Sequence, residues 1–246
     1  MKKLFLSLLC MVVVLASFAQ ATPGAAEKNA ANAALKAKNY AEAFTKLEAY
    51  LKVVEFKDKA YLYNTAFVAS KLKNYTAAEK YFEMAVKERY KASSSYIGLI
   101  KAQQAQGKTA EMEASLTKGL AAYKGNSSLE KIFAAHYMKK AQAAEKSKKL
   151  TVAEAEYSKV AKLVSNQFKA QANASLANMF YNSGAEILAK VNPLINTDKP
   201  KYEAGKAKAK QVFAKASSYI LKAIAAAPSN KQAKDLKAKI MTELSK

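Results

Sequence analysis

The stretch Lys59–Tyr90, KAYLYNTAFVASKLKNYTAAEKYFEMAVKERY, decides the fold of this chain. It predicts two short amphipathic helices joined by the three-residue turn Lys73-Asn74-Tyr75, because small and apolar residues recur at helical spacing on both sides of that turn. The recurring positions are Leu62, Ala66 and Ala69 in the first helix and Ala78, Phe82 and Ala85 in the second. Neither helix can bury its apolar face alone, so we expect the pair to stack on neighbouring pairs.

The same pattern recurs along the chain at a nearly constant spacing. The turn is found 35 residues upstream as Lys38-Asn39-Tyr40, and a related turn, Gly107-Lys108-Thr109, follows 34 residues downstream. Gly107 falls where a helix is expected to end in a left-handed residue, a conformation that glycine adopts without steric cost. A repeat of this length, with a small residue four positions before a larger apolar one, resembles the tetratricopeptide repeat.

The resemblance implies an all-α fold, a right-handed α-solenoid of about five helix pairs with a C-terminal capping helix. We expect the repeat domain to cover residues 22–246, with longer helices from residue 129 onward. The run Ser93-Ser94-Ser95 predicts a capped helix start in the third pair, and a helix is predicted over residues 151–165. The segment Asn230–Leu244 predicts the cap, because an end repeat needs a polar outer side.

The first 21 residues have the order of a secretory signal peptide. Met1-Lys2-Lys3 precedes an apolar run from Leu4 to Leu15, and cleavage after either Ala19 or Ala21 fits the small residues that follow. The apolar run is shorter than the roughly 20 residues that a membrane-spanning helix needs. We therefore expect a periplasmic protein, with secretion as the alternative. The chain's one cysteine, Cys10, would leave with the signal peptide.

The chain is strongly basic, with a formal net charge of +22, and Arg89 is its one arginine. The planar guanidinium group of arginine suits the recognition of nucleic-acid bases and the binding of phosphate, whereas lysines give a diffuse positive field. The composition therefore argues against a nucleic-acid partner. Anionic lipid or an acidic polymer of the cell envelope is the alternative partner that the lysines suggest.

The sequence predicts no enzyme, no cofactor and no metal site. A nucleophile needs a neighbouring base, and the one histidine, His136, lies among apolar residues that predict a packing or surface role. One histidine without cysteine does not supply the usual zinc ligands. The glycines after the signal peptide are scattered singly, so there is no glycine-rich phosphate loop.

The resemblance implies that the first helices of successive pairs line a concave groove, which holds an extended peptide or a partner's helix. The expected partner is another envelope protein or a peptide. A specialised version of the family clamps a C-terminal carboxylate with lysine and asparagine, and Lys28, Asn32 and Asn64 match part of that clamp. The basic residues expected on the third pair are absent, since Ser94 and Gly98 occupy those positions.

Aromatic residues supply a second set of candidates for partner binding. Tyr61, Tyr63 and Tyr96 fall on predicted first helices and combine an apolar ring with a polar hydroxyl. Packing inside the helix pairs is the alternative role. Self-association through the long C-terminal helices is a further possibility, which rests on four large apolar residues: Val212, Phe213, Tyr219 and Ile220.

Overall fold

The structure, a computed structural model, describes residues 22–246, so the predicted signal peptide lies outside the described residues. The described chain folds into α-helices and contains no β-strand within that range. It divides into two compact units, of which the first ends at Tyr90 and the second begins at Lys91. Both units consist of stacked helix pairs, so the predicted all-α fold of repeated pairs is confirmed.

The first unit holds two helix pairs. Helix α1 packs on α2, α3 packs on α4, and α2 packs on α3, so the pairs stack in chain order. The helices span Ala25–Lys36 (α1), Tyr40–Val53 (α2), Lys59–Lys71 (α3) and Tyr75–Lys87 (α4).

The second unit holds three pairs and a final helix. Within it α5 packs on α6, α7 on α8 and α9 on α10, while α6–α7, α8–α9 and α10–α11 contacts join successive pairs. The elements span Ala92–Ala105 (α5), Thr109–Ala122 (α6), Ser127–Lys146 (α7), Leu150–Val160 (α8), Asn166–Val191 (α9), a 3₁₀ turn at Asn192–Leu194, Lys199–Ala226 (α10) and Lys231–Ser245 (α11). No helix among residues 22–246 is both long and apolar enough to cross a membrane.

Four of the pairs turn in the same way. The first residue of each three-residue turn is left-handed, with φ of 57° at Lys38, 58° at Lys73, 71° at Gly107 and 58° at Lys148. The next amide then donates to a carbonyl five residues back, as from Asn74 to Ala69 at 2.9 Å. This bond satisfies a carbonyl that the end of the first helix leaves open. Asn74 also accepts a hydrogen bond from the Ala77 amide and so caps the second helix.

The residues that predicted the repeat form the core. All six small or apolar positions singled out in Lys59–Tyr90 are buried, and Ala66, Ala69, Ala78 and Ala85 have no exposed surface. Small side chains at these positions let the helix axes approach closely. The four C-terminal residues that suggested self-association also pack inwards: Phe213 and Ile220 are buried, and Val212 and Tyr219 pack against the core that contains Ile220. Self-association therefore stays a prediction that these side chains do not support.

Two helix boundaries, those of α5 and α8, differ from the predictions. Helix α5 begins at Ala92, so the serine run lies inside its first turn instead of capping it. Helix α10 begins at Lys199 with Pro200 in its first turn, where a missing amide hydrogen costs nothing. Helix α8 ends at Val160 instead of residue 165, because the chain turns there into α9.

The early end of α8 is stabilised by a buried carboxylate. Glu130, which is only 2% exposed, lies near the start of α7. Its two carboxylate oxygens accept hydrogen bonds from the amides of Val164 and Ser165, at 2.7 and 3.0 Å. A side chain more than thirty residues away thus accepts hydrogen bonds from two backbone amides of the turn between α8 and α9.

Candidate partner-binding clefts

Three of the predicted site residues meet in one cluster of the first unit. The Lys28 ammonium of α1 lies 4.7 Å from the Tyr61 ring centre and 5.3 Å from the Tyr50 ring centre. The Tyr61 hydroxyl donates a 3.1 Å hydrogen bond to the Asn32 side-chain oxygen. Tyr61 on α3 therefore contacts both Lys28 and Asn32 on α1.

Asp58, which the sequence did not single out, organises this cluster. One of its carboxylate oxygens accepts hydrogen bonds from the amides of Ala60 and Tyr61 and caps α3. The other accepts a 2.7 Å hydrogen bond from the Tyr50 hydroxyl and lies 3.9 Å from the Lys28 ammonium. Burial, together with the bond to Asp58, raises the pKa of Tyr50 to about 12. The Asp58 carboxylate therefore lies close enough to Lys28 to offset part of its positive charge.

The remaining predicted site residues lie apart from this cluster. Tyr63 packs against the rings of Phe82 and Tyr90, with centres 5.7 and 6.1 Å away. Asn64 is half-buried on α3. Tyr96 belongs to the second unit, where its ring covers Gly119 so closely that an added Cβ would lie 3.2 Å from it. The assignment of these residues to partner binding stays a prediction.

Clefts between consecutive first helices recur along the second unit. One of about 610 Å³ separates α5 from α7, one of about 530 Å³ separates α7 from α9, and one of about 810 Å³ separates α9 from α11. Their chemistry differs. The second cleft mixes acidic and basic side chains, and the third is lined mainly by amides and alanines.

The α5/α7 cleft combines apolar surface with positive charge. Its apolar side chains include Ile97, Met112 and Ile132. Lys101, Lys131 and Lys139 also line it, and none of these lysines forms an ion pair with any residue in the range 22–246. No carboxylate lines the cleft. It therefore presents uncompensated positive charge around an apolar surface.

The lysines behind the cleft are paired, in contrast to those that line it. Lys140 on α7 donates a 2.8 Å hydrogen bond to Glu113 on α6, and His136 Nε2 lies 2.7 Å from the same carboxylate oxygen. Burial acts to raise the pKa of Glu113, but the bonds from Lys140 and His136 outweigh it and hold that pKa below its ordinary value. Lys140 also lies 3.7 Å from Glu156 on α8, which Lys159 of the same helix contacts at 2.7 Å. These pairs fasten α6, α7 and α8 together.

His136 lines the α5/α7 cleft and is held there by its neighbours. Its side chain is 18% exposed, and its ring stands edge-on to Tyr137 with centres 4.9 Å apart. Among residues 22–246 no three histidine, cysteine or acidic side chains come together in a way that could hold a metal ion.

The lysines of the α5/α7 cleft were not among the residues predicted from the sequence. A usable signal was present, because Lys131, Ala135 and Lys139 recur every four residues on one face of α7. Ile97 and Lys101 repeat the same spacing on α5. The spacing alone does not show which face of α7 lies toward α5.

Comparisons with known proteins agree with this architecture. No family model and no curated protein matches the chain. A TPR repeats protein from Bacteroides fragilis is 35% identical, with a TM-score of 0.86 over 90% of this chain and 99% of that one. Lower likeness is found to the C-terminal part of a TPR repeat-containing protein from Cytophaga hutchinsonii (17% identity, TM-score 0.43, 88% and 74% covered).

Another solved structure, the TPR2AB domain of yeast Sti1 in complex with pHSP90, is 18% identical with a TM-score of 0.36, over 91% of this chain and 98% of that one. The assignment rests on the Bacteroides fragilis protein, which the chain matches along nearly its whole length. The chain belongs to the tetratricopeptide-repeat family, whose stacked helix pairs serve as scaffolds for protein–protein interaction.

Proposed function

We propose that this protein is an exported, non-catalytic scaffold of the bacterial cell envelope that holds a segment of a partner protein in the α5/α7 cleft. The proposed location in the cell envelope rests on residues 1–21, which have the order of charged, apolar and small residues of a secretory signal peptide. The proposed absence of catalysis rests on the tetratricopeptide-repeat architecture, which serves as an interaction scaffold.

One observation carries the choice of cleft: its lysines lack internal partners, while those behind it are paired. An acidic segment with an apolar side chain complements such a surface. Its apolar side chain would pack on Ile97, Met112 and Ile132, and its carboxylates would neutralise Lys101, Lys131 and Lys139. Burying the apolar group supplies affinity, whereas the charges supply selectivity and speed of association. A peptide or an exposed helix of an envelope protein could present this pattern.

The test uses three fluorescent twelve-residue peptides that share a central Leu-Ile pair and carry flanking Glu, Gln or Lys. Anisotropy titration at 0.1 M salt is expected to rank them Glu, Gln, Lys in order of falling affinity. The K101E/K131E/K139E variant should weaken the Glu peptide by about ten-fold or more, because exposed pairs contribute up to about 1 kcal/mol each.

The matched control is K201E/K208E/K237E, which reverses three exposed lysines of α10 and α11 outside this cleft. It should leave the affinity within about two-fold, since screening limits the reach of distant charges to about 10 Å at this salt. Equal weakening by both triple variants would show a diffuse field instead of a site and would contradict the proposal.

A second candidate function, binding to anionic lipid or an acidic polymer, is favoured by one surface feature. Lys201, Lys208, Lys215 and Lys222 recur every seven residues on α10, and all are exposed. Lys215 is partly neutralised by Glu154 at 2.7 Å. Sedimentation with vesicles that contain phosphatidylglycerol would detect this function as binding that disappears at about 0.5 M salt. Vesicle binding that vanishes with salt while the Glu peptide fails to bind would favour this candidate over the scaffold.

A further inference from the structure

The α9–α10 hairpin is longer than the helices that pack against it. At 1.5 Å per residue, α9 and α10 are about 39 and 42 Å long, whereas α11 is about 22 Å long. Helix α11 packs on α10 through Ile240 and Ala233, which share a core with Ala216, Ile220 and Ala223. Where α11 ends, Glu243 and Lys246 join residues of α9 and α10 in lining a slot that is distinct from the clefts between first helices.

The slot has a volume of about 360 Å³ and walls made mainly of rings and aliphatic side chains. Tyr181 and Leu188 of α9 face Tyr202 and Phe213 of α10 across it. The rings of Tyr181 and Phe213 lie 5.7 Å apart between centres, and Phe213 is almost completely buried. A volume of this size lies at the lower end of the range for small-molecule sites, which is about 300–1,000 Å³.

The charge at the slot is positive and uncompensated. Lys206 and Lys210 line it one helical turn apart, and neither forms an ion pair with any residue from 22 to 246. Lys206 lies 6.0 Å from the centre of the Tyr202 ring. The third lysine, Lys246, is already paired with Glu243, the one acid of the lining, at 2.8 Å.

We propose that this slot binds a small amphiphile with an apolar tail and a single anionic head. The rings and Leu188 would take the tail, and Lys206 and Lys210 would take the head by charge-assisted hydrogen bonds. A neutral molecule would leave the positive charges of both lysines unbalanced, and the lysines would repel a cationic one. A small hydrophilic anion would leave the apolar walls exposed to water. A free fatty acid and an anionic lipid of a bilayer share the chemistry that fits.

The test is calorimetric titration of the full-length mature protein with dodecanoate, dodecanol and dodecyltrimethylammonium, each below its micelle concentration. One molecule of dodecanoate should bind per chain, at least about ten-fold more tightly than dodecanol or dodecyltrimethylammonium. A ten-fold difference in affinity corresponds to a single good ionic contact. The K206Q/K210Q variant should remove most of this preference. The control K201Q/K208Q removes the same charge from exposed positions of α10 that do not line the slot, and it should bind like the wild type.

A third variant, A189F, fills the slot from an exposed position of α9 without changing the charge. It should abolish dodecanoate binding while the thermal unfolding midpoint stays unchanged. Dodecanoate binding that survives A189F, that falls equally in both lysine variants, or that is matched by dodecanol would overturn the proposal.

Vesicle flotation then separates the two sources of the ligand. Binding to phosphatidylglycerol vesicles that dodecanoate displaces and K206Q/K210Q removes would identify a bilayer lipid. Dodecanoate binding without vesicle binding would identify a free amphiphile. Vesicle binding that only K201Q/K208Q removes, with no binding of dodecanoate, would assign the lipid contact to the exposed α10 lysines and exclude the slot.

Discussion

The Tyr81 hydroxyl of α4 donates a 2.8 Å hydrogen bond to the Glu48 carboxylate of α2, across the boundary between two helix pairs. The same pairing recurs at three other places in the structure, each time between a tyrosine and a carboxylate of another helix or of its cap. These bonds join Tyr50 to Asp58 at 2.7 Å, Tyr157 to Glu145 at 3.0 Å and Tyr219 to Glu154 at 2.8 Å. The chain has no cysteine after Cys10, so such bonds fix neighbouring helices where a disulfide cannot.

Replacing Tyr81 by phenylalanine should lower the free energy of unfolding by about 1.5–3 kcal/mol. The ring is 1% exposed, and the variant leaves a carboxylate without its hydrogen-bond donor. Urea unfolding of the isolated protein measures the loss. Tyr40→Phe is the control, because the Tyr40 hydroxyl makes no hydrogen bond to another described residue. A similar effect of both changes would mean that the Tyr81–Glu48 bond adds nothing.

The Tyr50–Asp58 bond should make stability fall at alkaline pH. Burial and Asp58 raise the pKa of Tyr50 from 10.0 to about 12, so the folded protein holds the phenolic proton more tightly than the unfolded chain does. The resulting stabilisation is complete below pH 10 and is lost as the pH rises through about 12. The difference in unfolding free energy between wild type and Tyr50→Phe should therefore shrink between pH 10 and 12. Taking the difference cancels the other tyrosines and lysines, and a constant difference would contradict the assignment.

The left-handed turn residues give a prediction about the backbone alone. Gly107 has φ of 71°, and an added Cβ would meet nothing within 4 Å. Gly107→Ala should therefore destabilise the protein by about 1 kcal/mol, purely from the cost of a side chain in the left-handed region. Lys73→Gly, at φ of 58° in the equivalent turn, should be neutral or stabilise by up to about 1 kcal/mol. Thermal unfolding of both variants checks this, and a loss at Lys73→Gly would contradict the shared role.

The repeat could be predicted because its information is local. Lys73 and Asn74 perform two tasks in adjacent positions: the first ends one helix in a left-handed residue, and the second caps the next helix. Both tasks depend only on near neighbours in sequence, so the motif appears wherever the turn does. The boundary at Val160 was missed for the opposite reason, because the amides after it are satisfied by Glu130 from a distant helix.

The candidate site was predictable only in part. Lys28, Asn32 and Tyr61 were predicted as groove residues, and the structure brings them together around Asp58, which the sequence did not single out. Whether a lysine faces a partner or an internal carboxylate depends on tertiary contacts that a single sequence does not display. The same limit applies to Lys131 and Lys140, since α7 carries both and only the second meets Glu113.

The buried Glu130 should be among the most sensitive charged residues. Glu130→Gln keeps the shape but turns an amide group toward a backbone N–H, so one of the two hydrogen bonds is lost. We expect a loss of about 1.5–3 kcal/mol, the usual magnitude for a hydrogen bond to a charged group. Glu111→Gln, on an exposed position of α6, is the control and should change stability by less than about 0.5 kcal/mol. Hydrogen exchange at Val164 and Ser165 should accelerate in the first variant only.

Two glycines of the long hairpin lie too close to a neighbouring side chain to accept alanine without cost. Within a helix, Gly→Ala favours folding by about 1 kcal/mol when the methyl group has room. At Gly184 the new Cβ would lie 2.7 Å from the buried Phe213 ring, and overpacking of this kind costs about 1–3 kcal/mol. At Gly205 it would lie 2.3 Å from Cγ1 and 3.0 Å from Cβ of Val191, whose β-branched side chain is stiff. Both Gly184→Ala and Gly205→Ala should therefore destabilise the protein.

Urea unfolding of the two variants measures both losses of stability. A second readout links the loss at Gly184 to the slot, because Phe213 forms one wall and Gly184 sets its position. Gly184→Ala should displace the ring and weaken dodecanoate binding, whereas Gly205→Ala should leave it unchanged. If Gly184→Ala proved as stable as the wild type, the close approach of Phe213 to α9 would not be a constraint on the hairpin. The double variant Gly184→Ala/Phe213→Leu should recover part of the stability, since the smaller side chain removes the clash that the methyl group creates.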